Sequence, residues 1–108
     1  MVAEKSWGSF RVLDFEDASM NIKITLTPRH GMNYHSHENR DEVWTVISGT
    51  GHAILDGVRR DVKPGDILTM PAGCRHTVFA DSELKIIEVQ LGPAISVEDK
   101  QKYPLPQA

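Results

Sequence analysis

Three histidines and one glutamate are spaced so that they could share a metal ion. The first group reads His35-x-His37-x4-Glu42-x6-Gly49. Side chains alternate along a strand, so the imidazoles of His35 and His37 face the same way and reach one point in space. Glu42 follows after a short excursion and offers a hard oxygen donor. The second group reads Gly65-x5-Pro71-x-Gly73-x2-His76. Its proline fixes φ and its glycine permits a left-handed turn, which aims His76 back toward the first group. Three imidazoles and a carboxylate suit Mn, Fe, Co, Ni or Zn and leave coordination positions for water or a substrate.

Other reactive side chains lie close to this set in the sequence. Arg40, between the histidine pair and Glu42, could clamp a phosphate or carboxylate. Trp44 falls on the same strand face as Glu42 and could form an apolar wall of a substrate pocket. Glu88 could point inward as a proton carrier. Cys74 has no identified base and reads as an inert turn cysteine. His30 and His52 lie outside both patterns and are left out of the site.

The elements that must position these groups are short strands. Ile22, Ile24 and Leu26 alternate with Lys23 and Thr25, then Pro28 to Gly31 interrupt. Asp41 to Ser48 reads as a second strand. Asp56-Gly57 between His52–Leu55 and Val58–Val62 is a hairpin signal, because this dipeptide tolerates the positive φ of a type I′ turn. Pro64-Gly65 and Pro71-Ala72-Gly73 bracket a strand at Ile67–Met70, and His76–Ala80 follows as the next. In Leu84–Leu91, Ile87, Val89 and Leu91 share one face while Glu88 and Gln90 share the other. Pro93 to Ala108 is polar and Pro-punctuated, so a short helix or an extended tail is expected there.

The 108 residues fit one domain, 1–108, with a core over about 5–92 and a tail over 93–108. A 40% hydrophobic, 25% charged composition is that of a globular domain and excludes disordered or fibrous classes. A net charge of −3 gives no broad basic field, so neither nucleic acid nor a membrane surface is expected as partner, although a local basic pocket is compatible with it. The single cysteine cannot form an internal disulfide, which fits a reducing compartment, and no export signal or membrane span is expected. A cytoplasmic location follows as the expectation.

The two histidine-bearing patterns together resemble the signature of the cupin superfamily, which implies an all-β, double-stranded β-helix (jelly-roll) barrel. Within that superfamily the chain is most similar to the cupin domain of type II mannose-6-phosphate isomerases, often the C-terminal part of a bifunctional mannose-1-phosphate guanylyltransferase. Trp7-Gly8-Ser9 resembles its Trp-Gly-Ser, Arg40-Asp41-Glu42-Val43-Trp44 its Arg-x-Glu-His-Trp, Ser48-Gly49-Thr50 its Ser-Gly-Thr, and Ile87-Glu88-Val89-Gln90-x-Gly92 its Ile-Glu-Val-Gln-x-Gly. His35 stands where that family has Gln, Val43 replaces the His before Trp44, and Ala80 replaces an Asn. The family's acidic tail ending in Tyr-Gly-Arg is absent, and with it any substrate contacts that tail makes.

The resemblance implies metal ligation by His35, His37, Glu42 and His76, and an aldose-ketose isomerase acting on a sugar phosphate. The metal would polarise the carbonyl and stabilise an enediolate, Arg40 would anchor the phosphate, and Glu88 is the candidate base. It also implies a homodimer. Two other readings stay open on the residues alone: an iron-dependent dioxygenase-type cupin, and a non-enzymatic metal- or sugar-binding module.

Overall fold

The computed structural model describes residues 2–16, 18–93, 95–96 and 98–106. They form eleven strands: β1 (Val2–Lys5), β2 (Gly8–Glu16), β3 (Ser19–Leu26), β4 (Tyr34–Ser36), β5 (Asp41–Ser48), β6 (Gly51–Leu55), β7 (Val58–Val62), β8 (Ile67–Met70), β9 (His76–Ala80), β10 (Leu84–Leu91) and β11 (Gln101–Tyr103). There is no helix among the described residues, and so none long and apolar enough to cross a membrane. The all-β jelly-roll expectation holds.

Two antiparallel sheets make up the barrel, with strand orders β1-β2-β3-β10-β5-β8 and β11-β4-β9-β6-β7. From β3 onward the chain crosses between them repeatedly, so strands remote in sequence become neighbours. β10 lies between β3 and β5, and β9 lies between β4 and β6. That crossing brings the two sequence patterns together, because His35 on β4 is the register partner of His76 on β9.

The turns follow from residue type. Asp56 (φ 47°) and Gly57 (φ 83°) both take positive φ, as a type I′ hairpin between β6 and β7 requires. Gly49 sits at φ 88°, where a side chain would run into the Glu83 carbonyl. Gly73 (φ 86°) closes the turn before β9, with Cys74 N–H donating to Pro71 O at 2.9 Å and Gly73 N–H to His37 O at 2.8 Å. The turn that aims His76 is therefore tied to His37 as well.

The core lies between the sheets and is built by Ile22, Ile24 and Leu26 of β3, Trp44 and Val46 of β5, Leu68 and Met70 of β8, Val78 and Ala80 of β9, and Leu84 and Ile86 of β10. On β10 it is the polar face that turns inward past Ile86. Glu88 and Gln90 are buried, whereas Ile87 and Val89 are half-buried on the outer side and Leu91 is exposed.

The C-terminal segment, expected as a short helix or an extended tail, is extended. β11 pairs with β4 through Gln101↔Ser36, Lys102↔His35 and Tyr103↔Tyr34, and Tyr103 Oη lies 2.9 Å from Ser36 Oγ. The Arg75 guanidinium sits 3.8 Å over the Tyr103 ring. Ala94, Val97, Gln107 and Ala108 of that expected tail lie outside the described residues.

Candidate metal centre

His35 and His37 come from β4 and its C-terminal edge, His76 from the first residue of β9, and Glu42 from β5 in the facing sheet. One donor atom from each of the four lies within 4.8 Å of the other three, and all four residues are buried. His76 Nε2 is 3.0 Å from Glu42 Oε1 and His37 Nε2 is 3.3 Å from Glu42 Oε2. The imidazole pairs have centroid separations of 4.4 Å (His35–His76), 4.9 Å (His35–His37) and 5.3 Å (His37–His76).

The other ring nitrogens decide what these donors can hold. His35 Nδ1 lies 2.5 Å from Asn33 O, His37 Nδ1 2.6 Å from Asp99 O, and His76 Nδ1 2.9 Å from Cys74 O. A carbonyl only accepts, so each Nδ1 carries a proton and each ring turns its Nε2 to the centre. This is the tautomer a metal ligand needs, fixed by a backbone acceptor. Burial, with the neighbouring His76, pushes the His35 pKa down to about 3, and burial also lowers that of His37, so both rings stay neutral.

Glu42 Oε1 and His76 Nε2 are buried and lack a hydrogen-bond partner, although they face each other at 3.0 Å. A buried carboxylate oxygen and an imidazole nitrogen at that distance must share either a proton or a metal ion. Burial alone would raise the Glu42 pKa, but His76, His37 and Arg40 outweigh it and hold the carboxyl at about 2, so it is a carboxylate. The donor set thus fits a divalent transition-metal ion: three imidazoles and one carboxylate whose donor atoms converge on one centre.

Arg40 lies beside this cluster. Its Nε donates to Glu42 Oε2 at 2.9 Å, its Nη2 lies 3.1 Å from His37 Nε2, and its Nη1 donates to Ser96 O at 3.1 Å. Trp44 is only 1% exposed and packs under His76, ring centroids 5.4 Å apart. Its indole N–H donates to Glu88 Oε1 at 2.6 Å. Glu88 Oε2 accepts from Gln90 Nε2, also at 2.6 Å. Burial and the nearby Glu42 charge push the Glu88 pKa up to about 7, against the pull of the Gln90 and Trp44 hydrogen bonds. Gln90 Oε1 has no partner. Turning that amide over would offer an acceptor to protonated Glu88, so Gln90 can serve either protonation state.

The site opens on a cavity of about 590 Å³. His35, Arg40, Glu88 and Gln90 form its polar inner end, Phe10, Phe15, Met20, Ile22 and Ile24 its apolar wall, and Ser96, Lys100 and Lys102 bring the C-terminal segment to its mouth. The segment also reaches the metal centre, through Asp99 O on His37 and through the Asp99 carboxylate, which accepts from the Glu38 and Asn39 N–H groups at 2.8 Å each. Sequence reasoning missed Asp99, since an aspartate in a polar tail carries no periodic signal.

His30, His52 and Cys74 are not among the four converging donors. The His30 ring is held by Pro28 O at the surface, and His52 stacks on Phe79 with centroids 5.3 Å apart. Cys74 is a free thiol whose pKa burial and Asp56 push up to about 11, which keeps it protonated and unreactive.

Comparison with known proteins places this geometry. The family model described as a cupin domain matches residues 22–90. The mannose-1-phosphate guanylyltransferase of Salmonella montevideo is 25% identical over 101 residues, covering 92% of this chain and 21% of that protein. The acireductone dioxygenase of Bacillus pumilus is 28% identical over 93 residues, covering 82% of this chain and 51% of that one. This chain therefore spans about a fifth of the first relative and half of the second. Among solved structures, an RmlC-like cupin from Shewanella frigidimarina superposes with a TM-score of 0.77 at 22% identity, covering 87% of this chain and 84% of that one.

Proposed function

The chain belongs to the cupin family, and from that premise we propose that it is a metal-dependent aldose-ketose isomerase acting on a sugar phosphate of the mannose-6-phosphate kind. The observation that carries the reading is the convergence of His35, His37, Glu42 and His76 on one point, beside a cavity that His35, Arg40 and three lysines line. Likeness to a mannose-1-phosphate guanylyltransferase supports a sugar phosphate as the substrate class.

A divalent ion held by the four side chains supplies Lewis-acid stabilisation of the negative charge that develops on the substrate oxygens, on the order of several kcal/mol. The remaining steps fall to the chain itself. Glu88, with a pKa near neutrality, takes the proton from one substrate carbon and returns it to the neighbouring carbon. Trp44 and Gln90 fix its carboxyl by gripping one oxygen each. Arg40 holds Glu42 and His37 in place and faces the cavity. The apolar wall excludes water from the proton transfer. The reading includes a homodimer, supported by the unpaired outer edge of β1 and by exposed Val2, Leu13 and Phe15 near it, and a reducing cytoplasm in which Cys74 remains a thiol.

A second reading is favoured by one observation. The wall of Phe10, Phe15, Met20, Ile22 and Ile24 suits a substrate less polar than a sugar, as an iron-dependent dioxygenase would use, and a dioxygenase is among the relatives. Elemental analysis of the purified protein followed by two assays separates the readings. Zinc, manganese or cobalt with interconversion of mannose-6-phosphate and fructose-6-phosphate is the expected result. Iron with substrate-dependent oxygen uptake would replace the isomerase by a dioxygenase, and ligand binding without turnover in either assay would leave a binding module.

A further inference from the structure

We infer that Lys5, Lys100 and Lys102 form an anion-binding subsite at the cavity mouth, suited to a phosphate monoester whose carrier reaches inward to the four-donor cluster. This deepens the sugar-phosphate reading and rests on it for the nature of the carrier, but it reassigns the phosphate anchor. Arg40, the expected anchor, has its three guanidinium nitrogens directed to Glu42, His37 and Ser96. The lysines are not so engaged.

The three come from opposite ends of the chain. Lys5 ends β1, Lys100 precedes β11 and Lys102 lies within it, yet all three line the same cavity together with Arg40. None has a carboxylate oxygen within 4.0 Å among the described residues. Away from the cavity, Lys63 pairs with Asp66 at 3.1 Å and Lys85 with Glu83 at 3.8 Å. In a chain of net charge −3, a fold that gathers cations here without acidic partners leaves a local positive field to be neutralised by something that arrives.

The charges around Lys100 strengthen the case. Burial lowers its pKa, and the like charges of Lys102, Lys5 and Arg40 lower it further, so the protonated amine is underprovided with counter-charge. A phosphate monoester brings nearly two negative charges and three acceptor oxygens, matching three ammonium groups better than a single carboxylate does. Trp7, on the same cavity wall, provides an optical reporter.

The test uses the full chain, metal-loaded and metal-stripped, titrated with inorganic phosphate, malonate and neutral mannose while tryptophan fluorescence and heat are recorded. Saturable phosphate binding is expected in both forms, with malonate weaker. The variant Lys100→Gln/Lys102→Gln should bind phosphate at least tenfold more weakly, with an unchanged thermal melt, and Lys100→Arg/Lys102→Arg should restore most of the affinity. Phosphate affinity unchanged in the Gln variant, or malonate binding as tightly as phosphate, would overturn the assignment. The outcome is separable from the catalytic reading. Phosphate binding lost in the Gln variant, without mannose-6-phosphate turnover in the parent, keeps the subsite and removes the isomerase. Turnover with an unaltered KM in the Gln variant keeps the isomerase and removes the subsite.

Discussion

The two ends of the barrel share strands but follow opposite rules. β10 runs Leu84 and Ile86 at one end and Glu88 and Gln90 at the other, all facing inward and all buried. β9 runs Ala80 and Val78 toward the apolar end and begins at His76; β5 runs from Glu42 through Trp44 to Val46. Trp44 marks the boundary, its ring packed with the core and its N–H on Glu88. At the apolar end every inward side chain contributes transfer free energy and close packing. At the polar end buried groups carry desolvation penalties that neighbours only partly offset, as the orphaned Glu42 Oε1 and His76 Nε2 testify. One end stabilises the fold, and the other is held in place by it.

Paired substitutions should expose the difference most strongly. Leu84→Ala empties a fully buried site in the apolar end and should lower stability by about 2–5 kcal/mol, with and without metal, while leaving metal affinity near the parent value. His76→Ala should do the reverse, weakening metal binding by roughly a hundredfold or more. It should also cut the stabilisation that bound metal confers, from about 4 kcal/mol at a thousandfold excess over the parent Kd to about 1.4 kcal/mol or less. Urea melts and metal titrations of both variants read the contrast. If His76→Ala binds metal as the parent does, the four-donor centre is wrong.

The second contrast is in pH. Glu88 has an ordinary carboxyl pKa of 4.5 when unfolded and about 7 in the fold, so the folded state holds its proton more tightly. Stability contributed by that proton is complete below about pH 4.5, falls as pH rises toward 7 and is gone above it. In metal-free protein, Glu88→Gln removes this loss. The variant should therefore gain on the parent by up to about 3 kcal/mol between pH 4.5 and 8. Leu84→Ala should show no such trend. A parallel stability profile for parent and Glu88→Gln would mean that Glu88 ionises normally in the fold.

How much of this was legible depends on which end of the barrel a residue serves. The strands Asp41–Ser48, Val58–Val62, Ile67–Met70, His76–Ala80 and Leu84–Leu91 were readable to the residue, because apolar alternation and Gly or Pro turns coincide there. β2 was not read. Its pairing with β3 shifts register between Val12 and Asp14, which breaks the period-two pattern on which such a reading depends. β11 was left open because Gln-Lys-Tyr carries no apolar signal; it is held by pairing to β4 and by Tyr103 on Ser36 and Arg75. At the site, ligand spacing pointed to His35, His37, Glu42 and His76, which the fold brings together. For Trp44 strand parity pointed to a possible pocket wall but not to the depth at which the ring stops, and the ring lies in the core.

The smallest expected effect concerns the segment that joins the polar end from outside. The Asp99 carboxylate takes the Glu38 and Asn39 N–H groups, which pins the segment so that the Asp99 carbonyl meets His37 Nδ1. Asp99→Ala removes the pin but leaves the carbonyl, so the acceptor that fixes the His37 tautomer is free to wander. Metal affinity should drop about tenfold, at the lower end of what loss of a ligand's hydrogen-bonded support produces. The apolar end, which Asp99 does not touch, should leave the metal-free melt almost unchanged. Asp99→Asn, keeping one acceptor oxygen, should fall between the two. Parent-like metal affinity in Asp99→Ala would mean that β4 and the Gly73–His37 hydrogen bond orient His37 without help, and that the C-terminal segment serves the cavity alone.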